Sequence, residues 1–216
     1  KKIFELPKEM ILSQIKTILT EFNVDGIKIG LISNVKSAKS IVTLFKKKFN
    51  NIPIVVDPIH KSTTNSLLVS KCDYILINKT LSKLSPIFTP NLNEIKTLLN
   101  LKNIDKIPKE KLIKNFHNEY KSNVVLTSGD EANGICEDFF LDEKLKVRSV
   151  KSKKIKTKNS HGSGCTFSTA LCINLVNNKN LYDSVVSAKK FTEKSLVLAP
   201  KLGLKYGPVG HQLFFK

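Results

Sequence analysis

Arginine is almost missing from this sequence: Arg148 stands alone among 36 basic residues, the rest being lysine. A formal charge of +18 would draw the chain toward phosphate backbones, yet base readout and bidentate phosphate contacts favour the guanidinium fork over the lysine point charge. The lysines are also scattered, clustering only at Lys46–Lys48 and between Lys151 and Lys158, which reads as a compositional bias; a nucleic-acid partner is not expected. No apolar run approaches the roughly 18 residues of a membrane helix, so no membrane partner is expected either. The opening Lys1-Lys2-Ile3-Phe4-Glu5-Leu6-Pro7 lacks the apolar core and small-residue cleavage site of a secretory signal. Cysteine is sparse: Cys72, Cys136, Cys165 and Cys172 form no C-x-x-C pair, which disfavours zinc and redox motifs and makes a reducing, cytoplasmic setting the expectation. No internal repeat or low-complexity linker divides the 216 residues, so one α/β domain over 1–216 is expected.

What is present is a regular alternation. Met10, Ile11, Ile15, Ile18, Leu19 and Phe22 recur at helical spacing and predict an apolar-striped helix over 8–22, opened by Pro7. Ile27 to Ile32 reads as a mostly buried strand, Val35 to Phe49 as an amphipathic helix, and Ile52 to Asp57 as a second strand. That βαβ unit predicts a mostly parallel sheet with helices on both faces. Ser70 to Leu84 is ambiguous by pattern. Pro86 to Thr89 predicts a short strand stopped by Pro90. Asn91 to Asn100 reads as a helix burying Leu92, Ile95, Leu98 and Leu99, and Pro108 to Tyr120 as another. Asn123 to Thr127 is a buried strand running into Ser128-Gly129-Asp130. Strands over Ile135–Leu141 and Leu145–Val150 follow, then helices from Thr166 to about Val176 and from Tyr182 to Leu198, the last with Val185, Val186, Ala188, Phe191, Leu196 and Val197 apolar.

Ligands of open parallel sheets bind beyond the carboxyl ends of strands, which makes Gly30 and Asp57 candidates. Asp57 before Pro58 is alternatively a turn carboxylate. Glu94, three residues after Asn91, is alternatively a helix cap. The stretch Ser160-His161-Gly162-Ser163-Gly164-Cys165 carries the strongest signal: two glycines one residue apart let the backbone approach a ligand just before a helix, whose first amides lack acceptors and whose dipole is positive there. Gly-x4-Gly-Lys-Ser/Thr is absent and Gly-x-Gly-x-x-Gly fails at its third glycine, so this is neither a Walker loop nor a dinucleotide fingerprint. Cys165, in the first turn, is expected to have a lowered pKa; alternatively it packs as a small hydrophobe.

Thr157 to Thr166 resembles the signature of the hydroxymethylpyrimidine/phosphomethylpyrimidine kinases of thiamine biosynthesis, members of the ribokinase-like superfamily, with serine at 160 and 163 where the family typically has threonine. Val24 to Leu31, Val55-Val56-Asp57-Pro58, Phe88 to Glu94 and Gly207-Pro208-Val209-Gly210-His211 agree in order and spacing. The family normally begins with a glycine-rich segment that reads the pyrimidine, and no counterpart lies in these residues. Ile59 to Asn65 departs from a family run with a Lys-Ser-Gly turn, and Thr127 to Asp130 lacks a lysine often found there.

The resemblance implies a ribokinase-like three-layer α/β/α sandwich, mostly parallel and N-terminally truncated, with helix favoured over 70–84. It implies phosphoryl transfer from ATP with Mg²⁺ to 4-amino-5-hydroxymethyl-2-methylpyrimidine or its monophosphate, in a homodimer. Gly162, Ser163 and Gly164 would hold the transferred group, and Cys165 stands where most of the superfamily has an aspartate base, as base or proton relay. Asn91 and Glu94 would serve the magnesium–phosphate assembly, with Asp57 as a second magnesium candidate and, with Gly30, at the substrate. Thr127, Ser128 and Gly129 would border the nucleotide phosphates. His161 contacts phosphate or packs beside the loop, the latter favoured. A pyridoxal-type vitamin kinase, or a non-catalytic remnant with nucleic-acid affinity, are the alternatives.

Overall fold

The computed structural model describes residues 4–49, 51–61, 66–104, 106–128, 134–177, 179–200, 202 and 207–211. Helices begin where short polar side chains take up orphan amides. Asn34 accepts from the Ser37 N–H at 2.8 Å to open α2 (Val35–Lys48), Ser70 accepts from Asp73 to open α3 (Lys71–Leu81), and Asn180 accepts from Asp183 to open α7 (Leu181–Val197). The ambiguous stretch is thus helical, closing in a 3₁₀ turn over Ser82–Leu84.

Four short strands, β1 (Ile27–Ile29), β2 (Ile54–Val56), β3 (Ile87–Phe88) and β4 (Asn123–Leu126), pair in parallel, and β5 (Ile135–Leu141) and β6 (Val147–Lys153) continue antiparallel. The strand order follows the chain, β1-β2-β3-β4-β5-β6. Right-handed crossovers between successive parallel neighbours place their helices on one face. That face carries α2, α3, α4 (Leu92–Leu98) and α5 (Lys109–Tyr120), which pack Ile41, Tyr74, Ile95 and Phe116 with Val56, Phe88 and Val124. On the other face Val55, Val125 and Phe140 meet α6 (Ser163–Val176) and α7 through Phe167, Leu171 and Val185. The three-layer sandwich is therefore borne out.

Four expectations change in detail. The first helix, α1 (Lys8–Glu21), forms, but none of its residues is buried: Ile11 and Ile15 lean on the core while Met10, Ile18 and Phe22 stay exposed. Strand β1 ends at Ile29, leaving Gly30 just beyond it. Strand β6 runs to Lys153 because all seven of its residues pair with β5, and its exposed Lys151 and Lys153 suit the edge of a sheet. Helix α6 begins at Ser163 rather than Thr166, so the second loop glycine and Cys165 belong to its first turn.

Candidate active site

Parallel pairing sends the carboxyl ends of β1 to β4 to one edge, and there Gly30, Asp57, Thr89 and Thr127 follow their strands. The start of α6 comes to the same edge. Gly162, its N-cap, has φ +87°, a left-handed conformation that favours glycine, and contributes no side-chain cap. The Ser163 N–H bonds to the Ser160 carbonyl at 3.1 Å and the Thr166 N–H to the Gly162 carbonyl at 2.8 Å. Among the described residues the Gly164 and Cys165 amides between them meet no acceptor. Gly164 has neither a left-handed backbone nor a close neighbour, and a Cβ there would enter open space. Among the described residues nothing requires this glycine.

On one side of the helix tip lies a polar cluster. Asp57, buried, takes the Lys28 ammonium at 3.4 Å and the Ser168 hydroxyl at 3.3 Å, both on Oδ2. The Cys165 thiol lies close enough to Asp57 and Lys28 to feel both charges. Partial burial and then the Asp57 carboxylate push this thiol up from its ordinary value, with Lys28 pulling the other way. The expected lowering is thereby reversed: burial and the nearby Asp57 carboxylate together outweigh Lys28.

On the other side, α6, α7 and the 207–211 tail enclose a cavity of about 670 Å³ whose lining includes Gly162, Cys165, Thr169, Ile173, Phe191 and Val209. Its walls are mainly apolar, and the size suits a small organic ligand. His161 lines the same cavity, and its backbone pairs with the tail, donating to the Gly207 carbonyl at 3.1 Å and accepting from Val209 at 3.2 Å. Sequence reading missed Thr169, Ile173 and Phe191 because an apolar helix looks buried all round. Ile173 is 55% exposed within that run, which the apolar pattern does not announce.

Asn91 and Glu94 form a reciprocal capping box on α4, each side chain accepting the other's N–H at 2.9 Å. The capping alternative for Glu94 is thus realised. Burial raises the Tyr74 hydroxyl, with Glu94, Tyr120 and Asp57 adding to the shift in that order, and this phenol donates to the Pro58 carbonyl. Asn91 bridges Thr127, while the Ser128 N–H and hydroxyl are both taken by Asp138 at 3.0 and 3.3 Å. Gly129 lies outside the described residues.

The family described as Phosphomethylpyrimidine kinase matches residues 1–210. A hydroxymethylpyrimidine/phosphomethylpyrimidine kinase from Staphylococcus aureus strain MRSA252 is 29% identical over 218 residues, covering 99% of this chain and 78% of that protein. The pyridoxal kinase from Staphylococcus aureus in complex with ADP superposes with a TM-score of 0.85 at 22% identity, covering 99% of this chain and 77% of that one. The same enzyme in complex with AMP-PCP gives 0.85 at 23% identity, covering 97% and 76%. Among the described residues no helix is long and apolar enough to cross a membrane. With the match running through the glycine loop and nearly the whole length, the chain belongs to the phosphomethylpyrimidine kinase family and is a phosphotransferase.

Proposed function

We propose that this chain moves the terminal phosphoryl group of ATP to the hydroxymethyl oxygen of 4-amino-5-hydroxymethyl-2-methylpyrimidine, or to the phosphate of its monophosphate, in thiamine biosynthesis. One observation carries the reading: the Gly164 and Cys165 amides lack acceptors at a helix tip that stands between an apolar cavity and a charged cluster. The cavity suits a nucleotide base, and the pyridoxal kinase of similar fold is known in complex with AMP-PCP. The helix tip suits the transferred group, whose charge builds where preorganised donors act most strongly.

The substrate oxygen attacks phosphorus as the bond to the bridging oxygen of ADP breaks. The hydroxyl proton passes to the Cys165 sulfur while the thiol proton passes to the neighbouring Asp57 carboxylate. A raised thiol pKa makes Cys165 a relay rather than a standing thiolate, and leaves Asp57 as the terminal acceptor. Ser168 and Lys28 hold that carboxylate in place.

Magnesium, when bound, offsets phosphate charge and favours oxygen ligands while keeping several waters. Among the described residues no group of three or more His, Cys, Asp or Glu could grip it directly. Asp57, just after β2, and Glu94, in the first turn of α4, would hold a hydrated ion shared with nucleotide phosphates. Thr127 would border those phosphates, and Asn91 and Ser128 would shape the surrounding strand ends. We also read a homodimer, from the resemblance, and a cytoplasmic setting, from four free cysteines.

The test is transfer from MgATP to the pyrimidine alcohol, to its monophosphate and to pyridoxal in parallel, with products identified by mass spectrometry. Phosphorylated pyrimidine is expected, with Cys165→Ala at least about tenfold slower. Product from pyridoxal alone would overturn the pyrimidine assignment, and no transfer to any of the three would overturn the reaction. Near-normal turnover by Cys165→Ala would remove the relay.

A further inference from the structure

Lys28 belongs to the Val24–Leu31 stretch, yet neither the resemblance nor the reaction above gives its charge a task in transfer. It sits in the three-residue edge strand β1, between Ile27 and Ile29, which turn to the α2–α5 face. Alternation along the strand sends Lys28 to the opposite face, where its register partner Val55 packs toward α6 and α7. A lysine on an inward face is costly unless its ammonium reaches an anion or water. Here the side chain bends back along the strand toward its carboxyl end, and a Cβ on Gly30 would lie 3.3 Å from the Lys28 Nζ. Gly30 therefore leaves the passage through which the ammonium arrives beside Asp57 and Cys165.

The ammonium carries three N–H donors. Asp57 is its ion-pair partner at 3.4 Å, and no side-chain hydrogen bond holds it among the described residues. Lys28 keeps 20% of its side chain exposed, against 8% for Asp57, so the open side of the pair is the cation. It also lies near the Cys165 sulfur, which hangs from the residue whose amide lacks an acceptor among the described residues. Charge gives the second argument. An Asp57 carboxylate alone at the helix tip would repel an incoming phosphoryl group, and the lysine converts that repulsion into a neutral pair with a donor to spare.

We propose that Lys28 is a catalytic residue whose ammonium contacts the phosphoryl group at the tip of α6, an inference that rests on the kinase reading above. Equilibrium binding of ATP and of ADP by calorimetry, beside the transfer rate, tests it in Lys28→Met and in Lys28→Gln. The second variant keeps a hydrogen bond to Asp57 should the first fail to fold. Both variants are expected to lose about 100-fold in kcat and to bind ATP more weakly while ADP affinity stays at the parent value, because ADP has no group at the helix tip. Transfer within twofold of the parent, or equal losses for ATP and ADP, would overturn the proposal by reducing Lys28 to a structural partner of Asp57. A parent chain that binds neither nucleotide would overturn the kinase reading and this inference together, an outcome distinct from a failure confined to the variants.

Discussion

Among the described residues two lysine–aspartate pairs have little exposure, and they are built differently. Lys189 on α7 meets Asp138 on β5 at 2.8 Å, with side-chain exposures of 8% and 6%, and the other Asp138 oxygen takes the Ser128 N–H and hydroxyl. Lys28 and Asp57 stand 3.4 Å apart, with exposures of 20% and 8%, and the Cys165 thiol lies near both. The first pair is sealed and its carboxylate saturated, which is what a charge locked between a helix and a sheet requires. The second is loose and open toward the helix tip, as expected of charges that exchange partners when a ligand arrives. The chemistry of the residues is the same; position relative to the α6 N-terminus separates a clamp from a site.

Stability should split the pairs most sharply. Lys189→Met strands a buried carboxylate and is expected to remove about 3–5 kcal/mol, read from the urea midpoint at unchanged m-value. Lys28→Met should cost less than about half of that, because water reaches its pair; equal losses would erase the distinction. A smaller effect is expected at the helix tip itself. Gly164→Ala should slow transfer about tenfold by crowding the ligand, while gaining ~0.5–1 kcal/mol in stability from lower helix-entropy cost. Loss of both activity and stability would mean that the glycine serves the fold.

Cysteine reactivity gives a several-fold effect with opposite signs. Asp57 raises the Cys165 thiol and Lys28 lowers it, so alkylation at pH 8, followed peptide by peptide, should quicken in Asp57→Asn and slow in Lys28→Met. Asp138→Asn should leave it unchanged.

The smallest effect concerns a buried polar group with no opposite charge. His60 stacks on Tyr74 at 4.3 Å, and among the described residues its buried Nε2 has no hydrogen-bond partner. Burial, then Lys61, holds its pKa below the ordinary 6.5. Below pH 6.5 the unfolded chain therefore takes up a proton that the native ring resists, so the stability present above that pH is lost as pH falls toward the native value. The Tm of the parent should fall further between pH 7.5 and 5.5 than that of His60→Phe. Parallel curves would remove His60 as the cause.

Much of this was legible in the residues, and the failures have one origin. Asn91 with Glu94 announces a cap by spacing alone, since both partners lie within one turn. The apolar spacing of α1 announces a helix but not what covers it, and Met10 and Ile18 remain exposed. Val197, read as part of the apolar stripe of α7, is 68% exposed, whereas Lys189, four residues after the buried Val185, lies on the stripe that packs. Lys28 between two buried-side isoleucines and Lys189 among apolar neighbours were both signals, because a charge on an inward face requires a partner. The partner's identity was not readable, since Asp57 and Asp138 lie far away in the chain.

The sequence by itself determined the alternation of strands and helices, the layering it forces, and the glycine loop that opens α6, because these depend on side-chain period and backbone freedom within a few residues. Tertiary structure alone decided the direction of the Cys165 pKa, the pairing of Lys28 with Asp57, and the cavity between α6 and α7. Each of those depends on charges and surfaces from separate strands brought within a few ångströms, where Coulomb interaction and desolvation act on distance in space and not on distance along the chain.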